Sequence, residues 1–156
     1  MANTVRRTVL ANTDRRLVVK QTEHCDGTTA TNTAIIINLD DASNCVDTAG
    51  SALSADGFKS SGGKALAGVA VERIWYSHSG GDIVGAIKWD QSSGADMLIF
   101  GGSIVDVSNN YQDYTRGDWG GITKEGANAT GDIVCDVSGM GDGEAYTFII
   151  DMRKIF

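Results

Sequence analysis

Apolar and polar residues alternate with a period of two along most of this chain, the spacing of half-buried β-strands and not of helices. The stretch around which the rest is organised is Val69–Asp90, VAVERIWYSHSGGDIVGAIKWD. In its first half Val69, Val71, Arg73 and Trp75 share one face, while Ala70, Glu72, Ile74 and Tyr76 share the other. In its second half Ile83, Gly85, Ile87 and Trp89 alternate with Val84, Ala86 and Lys88. Between them, Gly80-Gly81 suits a tight turn, so the pattern predicts a hairpin with Trp75 and Trp89 as core anchors.

Further strands follow from the same reading. Thr4–Leu10 and Arg15–Cys25 flank the turn-forming cluster Ala11–Asp14, and Leu17 and Val19 alternate with Arg16, Val18 and Lys20. Asp26-Gly27 signals a turn, and Thr33–Asp40, TAIIINLD, fits a strand buried on both faces. Asp41–Gly63 is weakly patterned, with either a short helix over Asp47–Ala55 or an irregular crossover. Asp96–Gly101 reads as a strand that Ile104–Val107 continues past a bulge at Gly101-Gly102. Asn109–Thr130 is a second long, weakly patterned segment. At the C-terminus, Gly131–Val137 and Ala145–Phe156 read as partner strands around the glycine-rich turn Gly139–Glu144. In the last strand Tyr146, Phe148, Ile150 and Met152 share a face, with Phe148 a third core anchor. About eight antiparallel strands with two long loops predict an all-β sandwich of jelly-roll or Greek-key type, in one domain spanning residues 1–156.

Composition narrows the function classes. The chain carries a formal charge of −7, yet residues 1–20 hold Arg6, Arg7, Arg15, Arg16 and Lys20 against Asp14 alone. An acidic body argues against binding nucleic acid, whose phosphates it would repel. The basic start suits an acidic partner surface or simply a basic solvent face. No apolar run reaches the ~20 residues of a membrane helix, and no signal-peptide pattern opens the chain. The three cysteines, Cys25, Cys45 and Cys135, form no CxxC pair and read as buried thiols in a reducing compartment, with a Cys25–Cys45 bridge as the minority reading. Asn128-Ala-Thr130 matches a glycosylation sequon that has no meaning without secretion.

Catalytic chemistry finds little support. His24 and Cys25 are strand neighbours and point to opposite faces, and His78 sits beside a turn. Asp40-Asp41, Asp113 with Asp118, and Asp142 with Glu144 lack the spacing of a calcium loop. The expectation is therefore no catalytic residue, no metal and no cofactor. Tyr111, Tyr114 and Trp119, in a Gly/Asp/Asn-rich loop, suit a glycan site, a protein interface or packing back onto the sandwich.

Three blocks together resemble a family of small virion proteins of tailed bacteriophages, especially those of marine and cyanobacterial hosts. They are the opening MANTVRRTVLANTDRRLVVK, the central VERIWYSHSGGDIVGAIKWD and the final GDIVCDVSGMGDGEAYTFIIDMRKIF. The matching motifs are Glu72-Arg73-Ile74-Trp75-Tyr76, Trp89-Asp90 and Ile149-Ile150-Asp151-Met152-Arg153-Lys154, while Asp41–Gly63 and Asn109–Thr130 have no counterpart. The resemblance implies a non-enzymatic virion structural protein, foremost a capsid decoration or cement protein on the head surface, made in the host cytoplasm. Its partners would be the major capsid protein, other virion proteins and further copies of itself, with no direct nucleic acid and no membrane. Arg6, Arg7, Arg15, Arg16, Tyr111, Tyr114 and Trp119 are the candidate interface residues. A tail, neck or adaptor component, or a glycan-binding module on the particle, is the alternative.

Overall fold

The alternating stretches form strands in the computed structural model, which describes residues 3–26, 33–80, 83–102, 109–115, 120–123 and 128–156. They are β1 (Thr4–Asn12), β2 (Arg16–His24), β3 (Thr33–Ile37), β4 (Gly68–His78), β5 (Val84–Gln91), β6 (Met97–Gly102), β7 (Asn109–Asp113), β8 (Ile122–Thr123), β9 (Ala129–Ser138) and β10 (Ala145–Ile155). One sheet has the neighbour order β1-β2-β10-β4-β7, with β8 also pairing β4, and the second has the order β3-β9-β5-β6. All these pairings are antiparallel. The two sheets pack face to face as an all-β sandwich.

The pairings nest. Strand β2 pairs β10, β3 pairs β9, β4 pairs β7, and β5 pairs β6. The chain is thus a long ribbon, out along β2–β5 and back along β6–β10. The ribbon is rolled so that β10 also meets β4 and β9 also meets β5. Each inward-facing side chain therefore packs against the opposite sheet: Leu17, Val19, Ile74, Tyr76, Phe148 and Ile150 from the first meet Ile87, Trp89, Ile133, Cys135 and Val137 from the second. Tyr76 stacks on Phe148 with ring centroids 4.6 Å apart, and Tyr146 meets Phe148 edge-on at 5.4 Å. Gly85 faces this stack because a Cβ there would lie 3.0 Å from the Tyr76 and Phe148 rings.

Two expected hairpins are crossings between sheets. β4 and β5 do not pair with each other, and neither do β9 and β10; each pair straddles the core. Alternation cannot separate the two cases, because strands paired in one sheet and strands facing across a sandwich both bury every second residue. Gly80 serves a close approach: a Cβ there would lie 2.5 Å from the Glu144 carboxylate. Beside it, the Ser79 amide donates to the Ala145 carbonyl at 3.0 Å, which holds the two crossings together.

Trp75 is not a core anchor. Opposite Asp151 and Met152 of β10 stand Arg73 and Val71, so Glu72 is an extra residue that bulges β4. The bulge shifts the alternation by one: Val69 and Val71 point inward, then Ile74 and Tyr76 do, and Arg73 and Trp75 turn outward. Trp75 is 36% exposed, whereas Trp89 and Phe148 are buried as expected. On β6 the bulge falls at Ile99, between Leu98 opposite Lys88 and Phe100 opposite Ile87, and not at Gly101-Gly102. The expected Asp26-Gly27 turn from residue 27 on, the extension over Ile104–Val107, and Gly81 lie outside the described residues. β3 ends its sheet, and among its isoleucine side chains the described one, Ile37, is buried.

The segment between β3 and β4 is the irregular crossover, with two short 3₁₀ turns, Ala42–Asn44 and Ala55–Phe58, and no helix over Asp47–Ala55. It covers the outer edge of β1, where the Val9 amide donates to the Val46 carbonyl and the Val46 amide to the Arg7 carbonyl, both at 2.8 Å. Covering an edge strand in this way removes a template for unwanted pairing. Buried Phe58 anchors the segment, and the Lys154 ammonium donates to its carbonyl at 3.0 Å and to the Asn12 side-chain oxygen at 2.6 Å.

Two substitutions separate core from surface. Trp89→Ala is expected to cost about 3–5 kcal/mol through the cavity left between the sheets. Trp75→Ala is expected to cost under about 1 kcal/mol, since its ring leaves no cavity. Equilibrium denaturant unfolding of both variants measures the difference, and equal losses would contradict this assignment of the core.

Candidate functional site

The outer face of the first sheet gathers three of the seven expected interface residues, Arg6, Arg16 and Tyr111, together with Trp75. Across it runs a register row of Tyr111, Trp75, Ile149, Lys20 and Thr8 from β7, β4, β10, β2 and β1. Tyr111 is 46% exposed, and its ring lies 5.2 Å from that of Trp75 with the planes tilted by 33°. Two large aromatic rings thus stand side by side on a sheet surface, where each costs little conformational entropy to present.

Beside this row lies a row of ion pairs centred on Asp151. Its carboxylate is wholly buried and accepts from Arg16 Nε and Nη2 at 2.8 Å each, and from Arg73 Nη1 at 3.0 Å. Arg73 Nε also lies 3.7 Å from Asp113, and Arg153 Nε donates to Glu72 at 3.3 Å. In every one of these pairs the carboxylate is the more buried partner. Side-chain exposures are 0%, 16% and 21% for Asp151, Asp113 and Glu72, against 54%, 34% and 49% for Arg16, Arg73 and Arg153. The acids lie beneath and the guanidinium groups above, so the surface that solvent meets is cationic and its donors are held in place.

The pKa shifts follow from this layering. Burial pushes Asp151 up, but the hydrogen bonds and charges of Arg16 and Arg73 more than offset it, so its pKa lies below the ordinary carboxylate value. Asp113 is lowered to about 2, chiefly by the Thr115 hydroxyl and then the Thr115 amide, at 2.5 and 2.8 Å. Tyr111 donates its hydroxyl to the same carboxylate at 3.0 Å.

The expected interface residues do not all belong here. Arg16 is bound to Asp151, and Arg7 turns inward to donate to Gln21 Oε1 at 3.0 Å. Arg6 lies on the outer face and reaches the turn at Gly50, and Arg15 sits exposed in the β1–β2 turn. Tyr114 packs against the core and its hydroxyl donates to the Ile99 carbonyl at 2.8 Å, so it forms no platform with Tyr111. Trp119 and Asp118 lie outside the described residues. Sequence reasoning missed Trp75 as a surface residue. The available signal was Arg73, a charge sharing the parity of Val69 and Val71, which marks the break in phase. It also missed Gln21 and Glu23, which point into the core, where Gln21 Nε2 donates to the Tyr146 hydroxyl at 3.0 Å and Asn3 donates to Glu23 at 2.8 Å.

The remaining candidates resolve locally. Glu144 accepts from the Gly141 amide at 2.6 Å and closes the turn at 141–144. Asp41 caps the first 3₁₀ turn by accepting from the Ser43 amide. Cys25, Cys45 and Cys135 are buried, and burial pushes Cys45 up to about 11 and Cys135 up to about 12. Cys45 and Cys135 therefore carry almost no thiolate near neutral pH. Among the described residues no three His, Cys, Asp or Glu side chains gather as a metal site. Nor is any helix among them long and apolar enough to cross a membrane.

The ion-pair row sets a pH dependence. Asp113 and Asp151 have folded pKa values below their unfolded ones. Their stabilisation is therefore complete above about pH 4 and drains as pH falls through the folded values. Stability is expected to fall from about pH 4 towards pH 2. Replacing both arginines (Arg16→Ala with Arg73→Ala) strands the buried Asp151 carboxylate, at a cost of about 3–5 kcal/mol near neutral pH. Protonation then relieves the penalty, so this variant regains stability relative to wild type on acidification. Denaturant melts across the acid range check the slope, and identical profiles would show that Asp151 does not depend on these arginines. No protein-family model matches the chain, and neither a curated protein nor a solved structure matches it.

Proposed function

We propose that this chain is a non-enzymatic structural protein of a tailed-bacteriophage particle, a decoration or cement protein that stabilises the head shell, and that its sandwich is a jelly roll. The observation that carries the reading is the nested strand order. A ribbon whose arms pair β2 with β10, β3 with β9, β4 with β7 and β5 with β6, wound into two layers, is how a jelly roll is built. That architecture recurs in viral capsid and lectin domains. Fold alone does not imply function, and the resemblance of the opening, central and closing blocks to small phage virion proteins supplies the rest.

The physical features suit a clamp. A cement protein needs a body that does not deform under load, and here both sheets share one close-packed interior. It also needs side chains already fixed in their binding geometry. On the outer face of the first sheet, Arg16 and Arg73 are held by a carboxylate beneath them, so less side-chain freedom remains to be lost on docking. Tryptophan, tyrosine and arginine, the residues that dominate interface energetics, are all displayed there.

Copy number tests the assignment. Quantitative mass spectrometry of purified particles is expected to find this chain in numbers comparable to the major shell protein. A count matching one or two rings per particle would move it to the neck or tail, and its absence from particles would overturn the virion reading.

A further inference from the structure

The two outer faces of the sandwich differ in charge, and each displays apolar side chains. On the first sheet, alternation and pairing place Arg6, Arg16, Lys20, Arg73 and Arg153 outward, with Glu72, Asp113 and Asp151 among them. Among the described residues, five cations against three carboxylates leave a surplus of two positive charges on this face, on a chain whose net charge is −7. The carboxylates lie deeper than their partners, so the exposed layer is more basic than the count implies. Trp75 and Tyr111 stand on its β4–β7 side.

The second sheet presents the opposite character. Its outward positions include Asp90 from β5 and Asp132 and Asp136 from β9, against Lys88, which donates to Asp136 at 2.6 Å. Asp96 opens the turn into β6, where it accepts from the Gln91 amide. Asp40 and Asp90 lie near enough to Asp132 for their charges to add to its burial in raising its pKa. Among these carboxylates Leu98 is 62% exposed, and Met97 at the edge is 38% exposed. One side of the molecule is therefore basic and aromatic, and the other acidic and aliphatic.

We propose that copies of this chain associate head to tail, the basic aromatic face of β1-β2-β10-β4-β7 in one copy seated on the acidic face of β3-β9-β5-β6 in the next. Charge complementarity selects a second copy as the occupant. The two faces lie on opposite sides of the sandwich, so both cannot be satisfied within one molecule, and two like faces would repel each other. The smaller, four-stranded face sets the area: strands about 4.8 Å apart and some seven residues long at about 3.3 Å each cover on the order of 450 Å², below the roughly 800 Å² per partner of a standard interface, so the contact is of the weak class that low salt favours. A contact between two different faces is heterologous, so it closes into a ring or extends as a file according to the rotation between copies. Trp75 and Tyr111, on the β4–β7 side of one face, meet Leu98 on the edge strand β6 of the other as an apolar patch, and the arginines against Asp90, Asp132 and Asp136 give register. The contact uses the face that the proposed function assigns to docking, so within a file only the copy at one end keeps that face free for the shell.

Sedimentation of the purified chain in low and high salt is the test, with one variant on each face. Tyr111→Glu alters the basic face and Leu98→Arg the acidic face, both at exposed positions. Wild type is expected to sediment as a multimer in low salt and to dissociate as salt rises. Each variant is expected to run as a single chain that still melts in one cooperative transition. Mixed in equal amounts, the two variants are expected to form a dimer and stop there. The Tyr111→Glu copy keeps a sound acidic face and the Leu98→Arg copy a sound basic one. A wild type that is a single chain in low salt overturns the proposal without recourse to any variant, as does a multimer that high salt leaves intact. Two folded single-chain variants that fail to pair when mixed overturn it too.

Discussion

Everything in this structure depends on burying the inward faces of two sheets against each other. The central strand of the first sheet, β10, contributes Tyr146, Phe148, Ile150 and Met152, and all four are removed from solvent. They can be buried only if an equally apolar surface lies opposite, and β5 and β9 provide it with Ile87, Trp89, Ile133, Cys135 and Val137. That requirement sets the connectivity. The consecutive strands β4 and β5 cross the core instead of turning back beside each other, and so do β9 and β10. Gly85 leaves room for the Tyr76–Phe148 stack at the place where the sheets approach, and Gly80 leaves room for Glu144 where the two crossings meet.

The outer face of the first sheet follows from the same packing. Once β10 and β4 are committed to the core on one side, their other sides lie adjacent, and Asp151 falls between Arg16 and Arg73 from the neighbouring strands. A carboxylate with no exposed surface would be costly alone, and two guanidinium groups compensate it with three hydrogen bonds. The arrangement fixes the arginines more firmly than solvent-exposed side chains are usually held. It turns them, with Trp75 and Tyr111, into a rigid surface. A protein that clamps others in a particle gains from such a surface, because little is left to order when contact is made.

The bulge at Glu72 connects the fold to the function proposed for it. Without the extra residue, strict alternation would carry Arg73 and Trp75 to the side of Val69 and Val71. A charge would then enter the core, and an aromatic ring would leave the surface. One inserted residue exchanges the two faces of the strand midway along it. The aromatic pair and the ion-pair row on the outer face are both consequences of that single irregularity.

Several features were legible in the residues alone. Period-two alternation identified β2 and β10 and the faces they bury, the turn cluster between β1 and β2 marked their hairpin, and short strands between polar segments specified an all-β sandwich. These are local properties, written in the spacing of side chains along one strand. Which strands pair, and which face each other across the core, was not legible, because both arrangements bury alternate residues and leave the same pattern. The surface position of Trp75 was hidden for a related reason: a bulge is defined by the strand opposite, here Asp151 and Met152, and those residues lie about eighty positions along the chain. The sequence by itself determined the elements and most of their inward faces. Only the tertiary structure decided their partners and the make-up of the outer surface, since pairing and burial are relations between segments that no single segment encodes.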